Sequence, residues 1–343
     1  MNCCEQIEDS NFLLMRYIED DLEGKRILIT GGAGFIGSNL AAYFQENHPK
    51  ASVVIFDCFR NNGNAIEKTL GHYKNILWFK GEVITGNTNY AKDIQRLADD
   101  HFDLIFHHAT LSDTTCNDQE LMLRANTNAF KDILEIAKMH GAKLVYASSA
   151  GIYGKTPAPN IVGKNEIPET VYGFSKLMMD NIAKKYTEDN PDMHVAGLRY
   201  FNVYGRREFY KGEMASMILQ LGLQALKNKK VRLFRSGEQK RDFVYIEDVI
   251  QANIKALFSR QRSVFNVGSG MARSFNDIIE ILQKEFGNFD VEYIDNPYTF
   301  YQEHTEADIS CTQRYLGYQP AYSLEKGIKC YAKAIRELYI SNA

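Results

Sequence analysis

The sequence predicts an α/β fold: a doubly wound parallel sheet with helices on both faces and a smaller α/β lobe interleaved with its C-terminal half. Three observations predict it. Short apolar runs of strand length alternate with helix-length amphipathic stretches through the first 200 residues, which is the rhythm of β-α-β units rather than of hairpins. A glycine cluster follows the first run directly and opens the first helical stretch. From about Phe201 the alternation breaks into turn-rich polar segments mixed with short elements.

In chain order, Arg26–Thr30 (RILIT) reads as a buried strand and residues 35–45 as an apolar-periodic helix. Further strand-like runs lie at Ser52–Phe56, Ile76–Phe79, Asp103–His107, Lys143–Ala147 and Val195–Tyr200, with helical patterns at Leu121–His140 and Tyr172–Tyr186 between them. Continuous apolar strands suit a sheet buried on both faces. Residues 26–200, 242–270 and about 307–322 are assigned to the larger unit, and 201–241, 271–306 and 323–343 to the lobe. Residues 1–25 form a leader. Its first 14 residues show no helical or strand period, and with Met15 just behind them they are expected to be disordered or a start-site artefact.

Composition excludes several classes. The chain has 343 residues, 45% hydrophobic and 24% charged, with 40 basic against 43 acidic side chains, which is ordinary globular composition rather than disorder. A formal charge of −3 lacks the basic excess that nucleic acid demands. No apolar run approaches the ~20 residues of a membrane span, and the N-terminus carries acids where a signal peptide needs Lys or Arg. A cytoplasmic protein without nucleic-acid or membrane partners is expected. Six cysteines without a CxxC pair fit reduced thiols better than disulfides or a zinc site. His107 and His108 are not expected to share a metal, because adjacent strand residues point to opposite faces.

Thr30 to Gly37 reads TGGAGFIG. Gly31 permits the tight turn after the strand, Gly34 lets a pyrophosphate approach the backbone, and Gly37 lets the helix sit close. The helix N-terminus at Phe35 and Ile36 offers free N–H groups and the positive end of the dipole. The pattern is that of a Rossmann-type dinucleotide site. Asp57, twenty residues beyond Gly37 at the end of the second strand, can accept from ribose hydroxyls and argues for NAD. Arg60 can meet a 2′-phosphate and argues for NADP.

Tyr172 and Lys176 stand four residues apart, on one face of a helix. The lysine charge would lower the phenol pKa, letting Tyr172 act as general acid/base, and Lys176 could also hold a nicotinamide ribose. Ser148 and Ser149 end the fifth strand-like run at its carboxyl edge, where open α/β sheets bind ligands, and a hydroxyl there can reach the reacting oxygen.

TGGAGFIG, SSAGIYG (148–154), YGFSK (172–176) and RDFVYIEDV (241–249) together resemble the extended short-chain dehydrogenase/reductase family of nucleotide-sugar enzymes, over nearly all the chain from Arg26. The resemblance implies Ser149, Tyr172 and Lys176 as the catalytic trio, with Asn126 and Val203 near the cofactor. Ala150-Gly151 stands where dehydratases of the family carry Asp-Glu, so epimerisation or oxidoreduction is favoured over elimination. RYFNVYG (199–205) followed by KGEMAS (211–216) is similar to the branch that epimerises ADP-heptoses at C6. That branch implies Lys211 as a second acid/base opposite Tyr172 and a retained NADP, with NAD as the alternative. It also implies substrate contacts from Ser149, Asn202, Glu213, Arg241 and Tyr301, and a ring-like homo-oligomer.

Three positions depart from the family pattern. Arg206 replaces a common Pro, Glu213 replaces a small hydroxyl residue, and His108-Ala109-Thr110-Leu111-Ser112 lacks the usual glycine. A carboxylate at 213 beside a diphosphate is unfavourable unless paired or turned away. The alternatives are a UDP- or GDP-sugar epimerase acting at another carbon with NAD, and a non-catalytic dinucleotide sensor. The sensor is disfavoured by the presence of both Tyr172 and Lys176.

Overall fold

A computed structural model describes residues 16–20, 22–60, 69–234, 236–259, 261, 263–295 and 302–341. The strands are β1 (Arg26–Thr30), β2 (Ser52–Asp57), β3 (Glu82–Thr85), β4 (Leu104–His107), β5 (Lys143–Ser149), β6 (Val195–Tyr200), β7 (Asn202–Tyr204), β8 (Lys230–Phe234), β9 (Lys240–Tyr245), β10 (Val264–Val267), β11 (Ala272–Ser274) and β12 (Asp290–Ile294). The helices are α1 (Phe35–Asn47), α2 (Ala91–Ala98), α3 (Gln119–Leu123), α4 (Ala129–His140), α5 (Val171–Asp189), α6 (Met217–Asn228), α7 (Ile246–Ala256), α8 (Phe275–Phe286), α9 (Ser310–Leu316) and α10 (Leu324–Ser341).

Seven strands form the central sheet in the order β3-β2-β1-β4-β5-β6-β10, all parallel. This is the Rossmann order with one strand added beyond β6. Two apolar cores lie on its faces. Ile27, Ile29, Val53, Ile55 and Phe106 join α1 and α7 on one face, and Leu28, Val54, Phe56, Ile105 and Leu144 join α4 on the other. The alternation within β1 and β2 shows the pleat feeding both cores. Smaller sheets, β11-β9-β7 and β12-β8, complete the fold, with α6, α8 and α10 contributing to the same core as α1.

The strand expected at Ile76–Phe79 is instead the end of a 3₁₀ turn over Tyr73–Ile76, and the sheet edge is β3, which pairs Val54–Asp57 with Glu82–Thr85. Edge position explains the difference: β3 buries little of its surface, so its apolar signal is weak. The helix expected over Leu121–His140 is broken by a π turn at Arg124–Asn128, a feature that frequents functional sites. Residues 242–245, assigned above to the larger unit, lie in β9 of the three-stranded sheet. Within the leader, Tyr17 stacks on Tyr43 of α1 at 5.4 Å; the expectation for the first 14 residues, like Tyr301, falls outside the described residues.

Candidate active site

The sheet reverses its winding between β1 and β4, and the carboxyl ends of those strands open on a crevice where such sheets bind ligands. A cavity of about 310 Å³ lies there. It brings together Gly31, Gly34, Phe35, Ile36, Gly37, Asp57, Ser149, Tyr172, Lys176, Val203 and Lys211 of the residues singled out in the sequence.

Gly31 has φ +69°, and a Cβ on it would lie 2.7 Å from the Ala109 amide nitrogen in the loop after β4. Both facts require glycine. At Gly37 a Cβ would meet the Gly31 carbonyl oxygen at 2.3 Å, so α1 seats on the turn only without a side chain there. Gly34 caps α1 without a side-chain hydrogen bond, and the first turn carries no acid. The helix N-terminus is thereby left to an anion, and this cradle fits the pyrophosphate of a dinucleotide.

Asp57 reaches the cavity wall but is also a structural clamp. Its carboxylate accepts from the Ala33 N–H at 3.0 Å and the Phe59 N–H at 2.8 Å, while burial raises its pKa. Arg60 is not on the cavity wall; its guanidinium donates to the Tyr210 carbonyl, beside Lys211. The Tyr210 ring lies flat on His72, 3.7 Å between centroids. Asn126 is fully buried behind the wall. Its side chain accepts from the Leu111 N–H at 2.7 Å and donates to the Leu111 carbonyl and to Ser175 Oγ, pinning the loop that lines the cavity to α5.

Ser149 ends β5, and Thr170 caps α5 by accepting from the Gly173 N–H. Tyr172 and Lys176 then fall on the cavity side of one helix. Lys176 Nζ donates to Thr110 Oγ1 at 3.0 Å and to the Ala147 carbonyl at 2.8 Å. Burial depresses its pKa to about 7, against the pull of Asp180 one turn along α5. Tyr172 departs from the expectation that the lysine charge lowers its pKa. Burial raises it, with the hydrogen bond to Ser149 acting the other way; desolvation of the phenolate is the larger effect.

Lys211 lies in a short helical segment over Phe209–Met214, broken at Gly212. It reaches the cavity with Nζ 5.5 Å from the centre of the Phe35 ring. Burial lowers its pKa and Glu208 raises it. Asn202, Glu213 and Arg241 are not on the cavity wall. Glu213 is exposed, turned to solvent, and Arg241 donates to the Lys240 carbonyl and covers the Phe275 ring. Arg206 pairs with buried Glu247 at 3.2 Å. The sequence reading gave no role to Thr110, Asp180 or Glu208. Asp180, at i+4 from Lys176, carried a spacing signal; Thr110 and Glu208 carried none.

His107 is buried, bonded through Nδ1 to Thr30 Oγ1 at 2.8 Å, whereas His108 faces the cavity. No group of three potential metal ligands occurs among the described residues, and no helix among them is long and apolar enough to cross a membrane.

The chain matches the NAD dependent epimerase/dehydratase family over residues 27–268. It is 33% identical over 319 residues to ADP-L-glycero-D-manno-heptose-6-epimerase of Brachyspira hyodysenteriae, spanning 91% of this chain and 98% of that protein. The crystal structure of the Helicobacter pylori enzyme of the same name is 55% identical, with a TM-score of 0.89 over 94% of this chain and 99% of that one. UDP-glucuronic acid 4-epimerase from Bacillus cereus, solved with NAD, is 29% identical, with a TM-score of 0.77 over 92% of this chain and 99% of that one. The matched span includes every residue of the cavity wall, and this protein belongs to the NAD-dependent epimerase/dehydratase family.

Proposed function

We propose that this protein interconverts ADP-D-glycero-D-manno-heptose and ADP-L-glycero-D-manno-heptose by oxidation and re-reduction at C6. The observation that carries the reading is one cavity holding both a Ser149–Tyr172–Lys176 set and a second amine, half-buried Lys211, contributed by a different element. The 55% identity to the Helicobacter pylori enzyme supports the substrate. The glycine turn and α1 would hold the pyrophosphate, with Phe35 and Ile36 at the helix N-terminus, and Val203 and Lys176 would serve the nicotinamide end. A bound nicotinamide dinucleotide supplies the hydride acceptor and donor.

Tyr172 or Lys211 takes the O6 proton as the hydride leaves C6. The exocyclic ketone rotates, and as the hydride returns to its other face the second group gives O6 a proton. Ser149 hydrogen-bonds the reacting oxygen. Two acid/base groups from different elements suit a carbon whose two faces must both be served. Asn202, Arg241 and Tyr301 are assigned to the sugar nucleotide from the lobe side, and Glu213, exposed as it stands, to the rim.

The cofactor reading is NADP, on the resemblance to the C6 branch. A second reading, NAD, is favoured by Asp57 on the cavity wall and by the engagement of Arg60 with Tyr210. The units 26–200 with 242–270 and 307–322, and 201–241 with 271–306 and 323–343, are assigned to dinucleotide and substrate respectively. We also read the enzyme as a cytoplasmic homo-oligomer; light scattering checks the assembly.

The test is an NMR time course of purified protein with ADP-D-glycero-D-manno-heptose and no added cofactor, followed by chromatography of the dinucleotide released on denaturation. Appearance of the L-glycero epimer supports both the reaction and a retained cofactor. Unchanged heptose with released dinucleotide removes the substrate assignment and turns the search to UDP- and GDP-sugars.

A further inference from the structure

We propose that Glu208 is a positioning residue for Lys211, holding the segment that carries the lysine and supplying the negative charge that keeps its ammonium form available. This rests on the reading of Lys211 as an acid/base. Glu208 is fully buried, yet it is a carboxylate three residues before an amine on the cavity wall. Burial of this kind persists only where donors surround the charge.

Those donors are present. The Ser216 N–H and hydroxyl reach the carboxylate at 2.8 and 2.7 Å, and the Gly205 N–H at 3.3 Å. The Lys211 N–H in turn donates to the Glu208 carbonyl at 2.9 Å. Glu208 therefore ties the end of β7, the start of α6 and the Lys211 segment to one point. The outer side of that segment is held separately, through Tyr210, by His72 and Arg60.

Glu208, tied to Lys211 through the backbone, is the acid whose charge acts on it. Across the cavity stand Tyr172 and Lys176 from α5 and His108 from the loop after β4, and Arg60 and His72 meet its neighbour Tyr210. None of these is a carboxylate, and the carboxylate on the cavity wall, Asp57 at the end of β2, is engaged by the Ala33 and Phe59 N–H groups. The Phe35 ring of α1 offers only its π face. Glu208 raises the Lys211 pKa against burial, and Lys211 in turn lowers that of Glu208, whose own burial pushes it up.

The experiment compares the pH profile of kcat/KM for full-length holoenzyme, Glu208→Gln, Glu208→Asp and Lys211→Met. Gln keeps an acceptor oxygen for Ser216 and Gly205 but removes the charge. One limb of the profile is expected to move to lower pH by about one unit, the other limb staying in place and dinucleotide content unchanged. Glu208→Asp, whose charge sits one methylene farther back, moves the same limb in the same direction by less, and it carries the test alone if the Gln variant does not fold. A profile lowered uniformly, with no limb displaced in either variant, overturns the proposal and leaves Glu208 a purely structural group. Full activity in Lys211→Met instead overturns the acid/base reading beneath it.

Discussion

Arg199→Met tests how α5, which carries Tyr172 and Lys176, is anchored. Arg199 is 2% exposed and Asp180 4%. The guanidinium donates through Nε to Asp180 at 2.8 Å, through Nη1 to the Tyr153 hydroxyl at 3.0 Å, and to Glu166. Asp180 also accepts from the Tyr146 hydroxyl at 2.9 Å. Met fills much of the volume but leaves Asp180 buried without its cation, a change that costs about 3–5 kcal/mol. Unfolding entropy of about 2.1 cal/mol/K per residue amounts to about 0.7 kcal/mol/K for 343 residues. The melting temperature should therefore fall by about 4–7 °C.

The pH dependence gives a sharper discriminator. Burial already raises the Asp180 pKa, with Arg199 opposing it, and loss of the arginine raises it further. A carboxyl whose folded pKa exceeds its unfolded value binds more protons when folded, so its penalty is absent below the unfolded value near pH 4 and complete above the folded one. The deficit of Arg199→Met relative to wild type should shrink as the pH falls from above neutrality toward the unfolded value. Adding Asp180→Asn should recover part of it at the higher pH. Differential scanning fluorimetry across that range reads both effects. A deficit under about 1 °C, or one of equal size at every pH, would refute the argument that an orphaned carboxylate is the cause.

Gly31→Ala places a Cβ 2.7 Å from the Ala109 nitrogen at φ +69°; the purified variant should carry less than about a tenth of the wild-type dinucleotide, read by absorbance after denaturation, because about 1–2 kcal/mol of left-handed strain adds to a backbone clash. Lys176→Met should lower turnover by at least about a hundredfold. It should also raise the melting temperature of dinucleotide-stripped protein near neutral pH: a buried amine with a pKa of about 7 binds fewer protons folded than unfolded, a penalty that fades only as pH rises toward 10.5. Tyr210→Ala removes the stack on His72 at 3.7 Å and should reduce kcat about tenfold with dinucleotide content unchanged; equal loss of both would mean that the stack supports the cofactor loop rather than Lys211.

What could be read in the sequence was chemistry confined to a short span. The glycine spacing from Gly31 to Gly37 is dictated by one turn and one helix end, and Tyr172 and Lys176 share a face because of helical pitch alone, so both survive as cavity residues. Arg60 and Asp57 were harder, since what engages them lies elsewhere: the Tyr210 carbonyl is 150 residues from Arg60, and the Ala33 amide is 24 from Asp57. Asn126 was singled out by resemblance, but its contacts with Leu111 and Ser175 are tertiary and invisible in any local pattern. The sheet edge was misplaced because Glu82–Thr85 buries too little for apolar content to mark it, while Ile76 packs on the core from outside any strand.

The two amines of the cavity follow one design. Each is driven toward its neutral form by burial, and each is answered by a carboxylate behind it: Asp180 one turn along α5 from Lys176, and Glu208 just before Lys211. In both cases the carboxylate is held away from the cavity by its own donors, Arg199 and Tyr146 for Asp180, Ser216 and Gly205 for Glu208. Neither acid lies on the cavity wall, so each can tune its lysine without competing with an anionic substrate for it. A diphosphate and a carboxylate facing the same amine would repel each other. Keeping the acids behind the amines leaves the cavity face of both lysines open to an anionic ligand.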